Sequence, residues 1–205
     1  MKKENQQYFE KNPSTKHHFY KFVFKFLNKE YFFKTDSNVF SKKYIDYGTQ
    51  VLLKTIYKNY QIIPHGNILD LGTGYGPIGI IFKSLYPDRS IYMCDINYRA
   101  LNLAKINLNI NRLQAKVFYS DVYASVKNKF ASIITNPPIR AGKKIVNTIL
   151  IYSHEYLVPG GTIFAVIQKK QGAQSAKKIL EKRFGNCKIM NRDKGYYVLR
   201  SIKNF

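Results

Sequence analysis

The chain has 205 residues, with 34 Lys plus Arg against 12 Asp plus Glu and a formal charge of +22. That length suits one α/β domain with a short appendage, and a 45% hydrophobic share with 15% aromatic residues is too apolar for a disordered chain. The longest apolar runs are short and broken by Lys, Asn or Gly, which argues against a transmembrane helix, and two distant cysteines, Cys94 and Cys187, cannot make a disulfide framework or a four-ligand zinc site.

A reduced, cytosolic setting is therefore the expectation. The basic opening MKKENQQYFEKNPS leads into no apolar segment, so no signal peptide is expected. His18 to Phe26 and then Tyr31 to Thr35 are aromatic and partly alternating, which predicts a β-hairpin. Ser41 is the expected cap of a helix reaching about Tyr60, with Ile45, Val51, Leu52, Leu53 and Ile56 inward. From Gly66 strands and helices alternate. Strands are predicted at Ile68–Leu71, Ser90–Cys94, Ala115–Tyr119, Phe130–Thr135 and Thr162–Ile167. Helices are predicted at Pro77–Tyr86, Ile96–Asn109, Lys143–Leu157 and Gln174–Phe184. Gly160-Gly161 reads as a turn. Cys187–Met190 and Tyr196–Leu199 read as a closing hairpin. Repeated βαβ units imply a doubly wound, mostly parallel Rossmann-like sheet. Residues 1–60 are expected as an extension packed on a domain formed by 61–205.

The sharpest local feature is Asp70-Leu-Gly72-Thr-Gly74-Tyr-Gly76, directly after the first core strand. Glycines let the backbone turn tightly and approach a ligand, and the next helix presents its N-terminus there. The same loop contains Gly74-x-Gly76-x-x-Gly79, the dinucleotide fingerprint, so nicotinamide binding competes at this point. Three carboxylates decide. Asp70 precedes the first glycine, where a negative group suits an ammonium or sulfonium better than a pyrophosphate. Asp95 ends strand two, where it can take both hydroxyls of a ribose. Asp121, in Ser120-Asp121-Val122, can accept from an exocyclic adenine amine. The segment from Ile68 to Asp121 resembles the class I S-adenosylmethionine-dependent methyltransferases. The resemblance implies a cofactor site of Asp70, Gly72, Thr73, Gly74, Gly76, Asp95, Ile96, Ser120, Asp121, Val122 and Asn136.

Strand four ends in Thr135-Asn136-Pro137-Pro138-Ile139-Arg140. The prolines fix the backbone and have no N–H. The Pro137 carbonyl and the Asn136 side-chain oxygen then offer two acceptors, which suit an NH₂ group. Asn136, Pro137 and Pro138 are the candidate catalytic residues. The run resembles the Asn-Pro-Pro motif of enzymes that methylate exocyclic or amide nitrogens. No metal is expected, because His17, His18, His65 and His154 show no ligand spacing.

A wider set is more specific. It joins Thr35-Asp36-Ser37-Asn38-Val39-Phe40-Ser41, Asp46-x-Gly48-Thr49, the Asn136–Lys144 run, Ile167-Gln168-Lys169-Lys170-Gln171-Gly172 and Lys194-Gly195-Tyr196-Tyr197-Val198. In this order it resembles the RsmC-type 16S rRNA guanine-N2 methyltransferases, and in length their short single-domain relatives. The resemblance spans about residues 31 to 200. It implies methylation of a guanosine N2 amine, with 16S rRNA or the 30S subunit as partner, no membrane, and a monomer by default. The larger members carry a duplicated N-terminal domain. Here a short extension from Tyr8 to Thr35 stands in its place. The position after the prolines is commonly aromatic and here is Ile139, so Arg140 is the nearby group for stacking or phosphate. Ile139, Arg140, Lys143, Lys144, Lys169 and Lys170 are the candidate RNA contacts. DNA adenine, a protein glutamine, or RNA binding without turnover remain alternatives. Only 7 of the 34 cations are Arg, and the Lys-, Asn- and Ile-rich composition also fits an AT-rich genome, so the charge alone assigns no partner.

Overall fold

The computed structural model describes residues 11, 16–37 and 39–204. The opening segment judged for a signal peptide, the start of the extension at Tyr8 and Asn38 lie outside the described residues, apart from Lys11.

The core is a seven-stranded sheet. Its strands are β3 (Ile68–Leu71), β4 (Ile91–Asp95), β5 (Lys116–Tyr119), β6 (Phe130–Thr135), β7 (Leu157–Gln168), β8 (Lys188–Asp193) and β9 (Tyr196–Ile202). Their order is β5-β4-β3-β6-β7-β9-β8. The run from β5 to β7 is parallel, and β9 is antiparallel to both its neighbours. The chain leaves β3 to one side for β4 and crosses to the other side for β6. That reversal opens a crevice at the carboxyl ends of the strands, where such sheets bind ligands.

Alternation along the strands fixes the layers, because neighbouring side chains point to opposite faces. Ile68, Ile134, Phe164, Val166 and Val198 join one core cluster. Leu69, Ile133, Ile163, Ala165 and Leu199 join the other. The first cluster is covered by α1 (Tyr47–Lys58), α2 (Pro77–Leu85) and α3 (Tyr98–Ile110). The second is covered by α4 (Lys143–Tyr156) and α5 (Ala173–Phe184). Both faces of the sheet are dry, which is why its strands read as near-continuous apolar runs. Val51, Leu52 and Ile56 of α1 share one cluster with the central strands, so there is no break in packing at residue 60.

The N-terminal hairpin is β1 (Tyr20–Phe26) and β2 (Lys29–Thr35), paired antiparallel from Tyr20↔Thr35 to Phe26↔Lys29. Phe26, Tyr31 and Phe33 join the cluster between this face of the sheet and its helices, and β2 lies along α3. Asn107 on α3 and Asn111, which caps its C-terminus one turn later, complete the outer edge of β2. Their Oδ1 atoms accept from the Lys34 and Phe32 N–H groups at 2.7 and 3.0 Å, and their Nδ2 groups donate back to the carbonyls of the same residues. Two amides thus replace a neighbouring strand and close an edge that would otherwise be open for pairing.

Several boundaries differ from expectation, and three of them have a visible cause. Helix α1 begins at Tyr47 with Asp46 as its cap, not at Ser41, which has φ +54° outside any helix. The turn expected at Gly160-Gly161 is an irregular part of β7, where Gly160 N–H donates to the Lys203 carbonyl and Lys203 N–H to the Gly161 carbonyl. Helix α3 begins at Tyr98 rather than Ile96, capped by Asn97 Oδ1, which accepts from the Arg99 and Ala100 N–H groups.

Candidate active site

The loops after β3, β4, β5 and β6 converge on a cavity of about 440 Å³, within the usual range for small-molecule sites. At its first end, Gly72, Thr73 and Gly74 form the wall after β3. Gly72 and Gly74 have φ of +74° and +57°, and a Cβ added at either would meet nothing within 4 Å. Backbone is therefore presented to open space. Asp95 and Ile96 follow from β4, and Ser120, Asp121 and Val122 from β5. Asp95 Oδ2 accepts from the Gly74 N–H at 2.8 Å, and its Oδ1 from the Asn97 N–H at 2.9 Å. Burial raises the Asp95 pKa, while these N–H groups and that of Ile96 oppose the rise.

Two of the expected cofactor residues stand behind the wall rather than on it. Asp70 is 1% exposed and does not line the cavity. Its Oδ2 accepts from the Thr73 hydroxyl and, at 2.8 Å, from the Gly79 N–H, tying the loop to α2. Its Oδ1 is buried without a hydrogen-bond partner. Burial pushes the carboxyl up to about 7. Gly76 caps α2 with φ +97°, and a Cβ there would come within 2.8 Å of the Met93 side chain. Close packing of α2 on β4 requires that glycine. Asp70 and Gly76 thus hold the loop from behind the wall of the cavity.

At the second end lie Asn136, Pro137, Pro138, Ile139 and Arg140. Asn136 Nδ2 donates to Asp46 Oδ2 at 2.7 Å and to Thr49 Oγ1 at 2.9 Å. Asp46 is itself held, accepting from the Gly48 N–H at 2.9 Å, the Thr49 N–H at 3.0 Å and the Thr49 hydroxyl at 2.6 Å. Both amide protons of Asn136 are thus engaged on the α1 side, and Oδ1 is its remaining polar atom. Ile139 and Arg140 sit in a short 3₁₀ turn on the rim, with Arg140 exposed. Lys143 and Lys144 open α4, and Lys169 and Lys170 follow β7. All four are exposed beyond the wall, whereas Gln171 lines it.

Sequence reasoning assigned no role to Asp46, Thr49, Phe40 and Tyr196, all of which line the cavity. Asp-x-Gly-Thr ahead of an apolar helix is a capping signal. It carries no hint that the cap also reaches Asn136, 90 residues away in sequence. Tyr196 packs against Gly48, where a Cβ would lie 2.8 Å from its ring.

A backbone cradle beside paired carboxylates suits a ligand with hydroxyls and a cationic group, next to acceptors that suit an amine. A family model, the methyltransferase small domain, matches residues 30–200. The ribosomal RNA small subunit methyltransferase C of Mannheimia succiniciproducens is 35% identical over 168 residues, covering 78% of this chain and 48% of that protein. The chain belongs to the RsmC-type class I methyltransferase family. It is also 41% identical over 202 residues to the Bacillus subtilis protein YbxB, which carries no described function, covering 97% of this chain and 99% of that one. Among solved structures it resembles the T. thermophilus 16S rRNA N2 G1207 methyltransferase RsmC, in complex with AdoMet and guanosine. The TM-score is 0.82 at 24% identity, over 91% of this chain and 51% of that one. That likeness carries the fold. This RsmC-type chain spans about half the length of the methyltransferase C relative and nearly all of YbxB.

Proposed function

We propose that the chain transfers a methyl group from S-adenosylmethionine to the exocyclic N2 amine of a guanosine in 16S rRNA. The observation that carries this reading is the Asn136 amide, whose Nδ2 is bound by Asp46 and Thr49 so that only Oδ1 is left to meet a substrate. An acceptor fixed in this way selects a donor. With the Pro137 carbonyl as the second acceptor, it holds an NH₂ group by both hydrogens.

The chain's residues fit the cofactor at the first end. The open cradle at Gly72 and Gly74 admits its methionine portion. Asp95 takes the ribose hydroxyls, and Asp121 takes the adenine amine. S-adenosylmethionine supplies an activated methyl group on a sulfonium. Asn136 and Pro137 orient the amine, whose lone pair is otherwise conjugated with the base. Holding its hydrogens to one side favours a pyramidal nitrogen aimed at the methyl carbon. Transfer would make the N–C bond at the expense of the C–S bond, leaving S-adenosylhomocysteine, and the amine would lose its proton to solvent. Catalysis is orientation plus stabilisation of the developing cation by fixed acceptors. No nucleophilic side chain is needed, in keeping with Cys94, which is buried with its thiol pKa pushed up by burial.

The target base must leave any duplex to present its amine in line. Arg140, Lys143, Lys144, Lys169 and Lys170 surround the second end as phosphate contacts. Support also comes from the charge distribution. Residues 66–140 hold 9 cations and 4 anions, whereas residues 141–205 hold 13 and 3. Three of the four anions in the first set are Asp70, Asp95 and Asp121.

Tritiated S-adenosylmethionine offered with 30S subunits, naked 16S rRNA, duplex DNA and a release factor tests the reading. Label is expected in 16S rRNA, as subunit or naked RNA. Label in adenine of DNA or in a protein glutamine would overturn it, and cofactor binding without transfer to any acceptor would point to an assembly factor.

A further inference from the structure

The outer face of the β1–β2 hairpin is unexplained by packing. Its inward residues Phe26, Tyr31 and Phe33 are buried, while Val23 and Phe32, paired across the strands, are 49% and 46% exposed. Phe19 beside them is 51% exposed. Next along the ladder, Lys21 stands opposite Lys34. Like charges directly opposite on one face are destabilising. Lys34 Nζ lies 3.9 Å from the Phe19 ring centroid, so its charge rests on an aromatic face rather than on a carboxylate.

Among the described residues, the nearby acids do not answer these lysines. Glu30 pairs with Lys25 at 2.9 Å. Asp36 is fully buried, where it accepts from the His17 ring, the His18 N–H and the Ser37 N–H, with Arg99 at 3.6 Å. Among the described residues, the face thus combines exposed rings with cations that no carboxylate pairs. That combination fits single-stranded nucleic acid, whose phosphates meet the lysines while unpaired bases stack on the rings.

Continuity points the same way. The Lys21–Lys34 pair adjoins the Tyr20–Thr35 end of the hairpin. Thr35 there donates to the Lys42 carbonyl, and Lys43 Nζ lies 5.8 Å from the Tyr20 ring centroid. Between Thr35 and Lys42 the chain passes through Val39, Phe40 and Ser41, which line the cavity. The hairpin face therefore leads onto the rim of the cavity from the side opposite in sequence to the Arg140–Lys144 rim.

We propose that this face is a docking surface for single-stranded RNA flanking the methylated nucleotide, with Phe19, Lys21, Val23, Phe32 and Lys34 as its contacts. The proposal rests on the rRNA reading above and adds the path that the RNA takes. The hairpin adds a second grip on the RNA to the phosphate contacts at Arg140, Lys143, Lys144, Lys169 and Lys170.

The test compares the full chain with Lys21→Glu/Lys34→Glu and with Phe32→Ser. Filter binding measures affinity for naked 16S rRNA across a salt series, and a separate titration measures S-adenosylmethionine affinity. The charge reversal is expected to raise the Kd for 16S rRNA about tenfold or more. It should also flatten the dependence of log Kd on log salt by about 1–2, as lost phosphate contacts require. Phe32→Ser should weaken binding about threefold to tenfold with the salt slope unchanged, as loss of a stacking surface predicts. S-adenosylmethionine affinity should stay within twofold in both, which also reports that the fold is intact. Unchanged RNA affinity and slope in both variants would overturn the proposal. So would a defect seen with 30S subunits but absent with naked rRNA, which would mean a protein partner. A loss of self-association in the variants, with RNA affinity intact, would mean a second copy of the chain and would overturn it equally. If the parent protein binds rRNA without labelling it and the variants still bind worse, docking stands and the methylation reading falls.

Discussion

The first end of the cavity is drawn from one stretch of chain, Leu71 to Val122, whereas the second joins Val39–Thr49, Asn136–Ala141, Gln171 and Tyr196. At the first end each wall residue follows its own strand, and the sheet order alone brings them together. At the second, a helix cap on α1 must meet the end of β6, and the closing hairpin must bring Tyr196 against Gly48. A local site of the first kind binds by its backbone cradle and a few carboxylates. A distributed site of the second kind depends on bonds between elements, of which Asp46 to Asn136 is the central one. The two ends should therefore fail separately when mutated.

The largest effect is expected at Asn136. Asn136→Ala removes one of the two oriented acceptors and should lower kcat by about 10²–10³-fold, with the S-adenosylmethionine Kd nearly unchanged by calorimetry. Equal losses in both would merge the two ends. Asp95→Ala should do the reverse. A charge-assisted hydrogen bond is worth about 1.5–3 kcal/mol, so cofactor Kd should rise by roughly 10–100-fold while transfer at saturating cofactor changes little.

A smaller effect sharpens the inter-element link. Asp46→Ser keeps a competent helix cap but withdraws the carboxylate that accepts from Asn136 Nδ2. Thermal stability should hold, and kcat should fall about tenfold, the worth of roughly one hydrogen bond. A fall in stability with no specific loss in kcat would reduce Asp46 to a cap.

The smallest effect concerns Asp70, whose folded carboxyl sits at about 7 against an ordinary 3.8 because it is buried. The folded state binds this proton more tightly than the unfolded chain does. Its contribution is therefore complete below about pH 4 and is lost as pH rises through 7. Asp70→Asn carries no such charge and should gain on the parent by about 1–2 kcal/mol between pH 4 and 8, as read from urea midpoints. That is less than the full linkage of about 1.4 kcal/mol per unit, because the loop relaxes around the charge. An identical pH profile in parent and variant would contradict this placement of Asp70.

The same contrast explains what could be read beforehand. The first end was legible because its residues sit at fixed places relative to strands, and strands buried on both faces stand out as short apolar runs between the loops. Even there, spacing could not separate Gly74 on the wall from Gly76 beneath α2, since both are glycines with positive φ in one loop. Asp70 looked like a ligand contact for the same reason. At the second end Asn136-Pro137-Pro138 was legible as a rigid run at the end of a strand, and it lines the cavity. Its dependence on Asp46 was not, because no local pattern couples a helix cap to a strand end 90 residues away. Ser41 and Asp46 are both good caps, and the tertiary bond to Asn136 goes to Asp46. The hairpin was legible from its alternation. Its seat on α3 was not, because Asn107 and Asn111 read as ordinary polar positions on a helix until their amides are seen against β2.

The central claim is that the locked Asn136 amide selects an exocyclic amine. Mass analysis of nucleosides from 16S rRNA methylated by the parent protein tests it most directly, because it reports which atom of the base received the methyl group. The account predicts N2-methylguanosine as the product, absent with Asn136→Ala. Methylation at a ring nitrogen or at a ribose 2′-hydroxyl would contradict it, since neither presents an NH₂ group for two fixed acceptors.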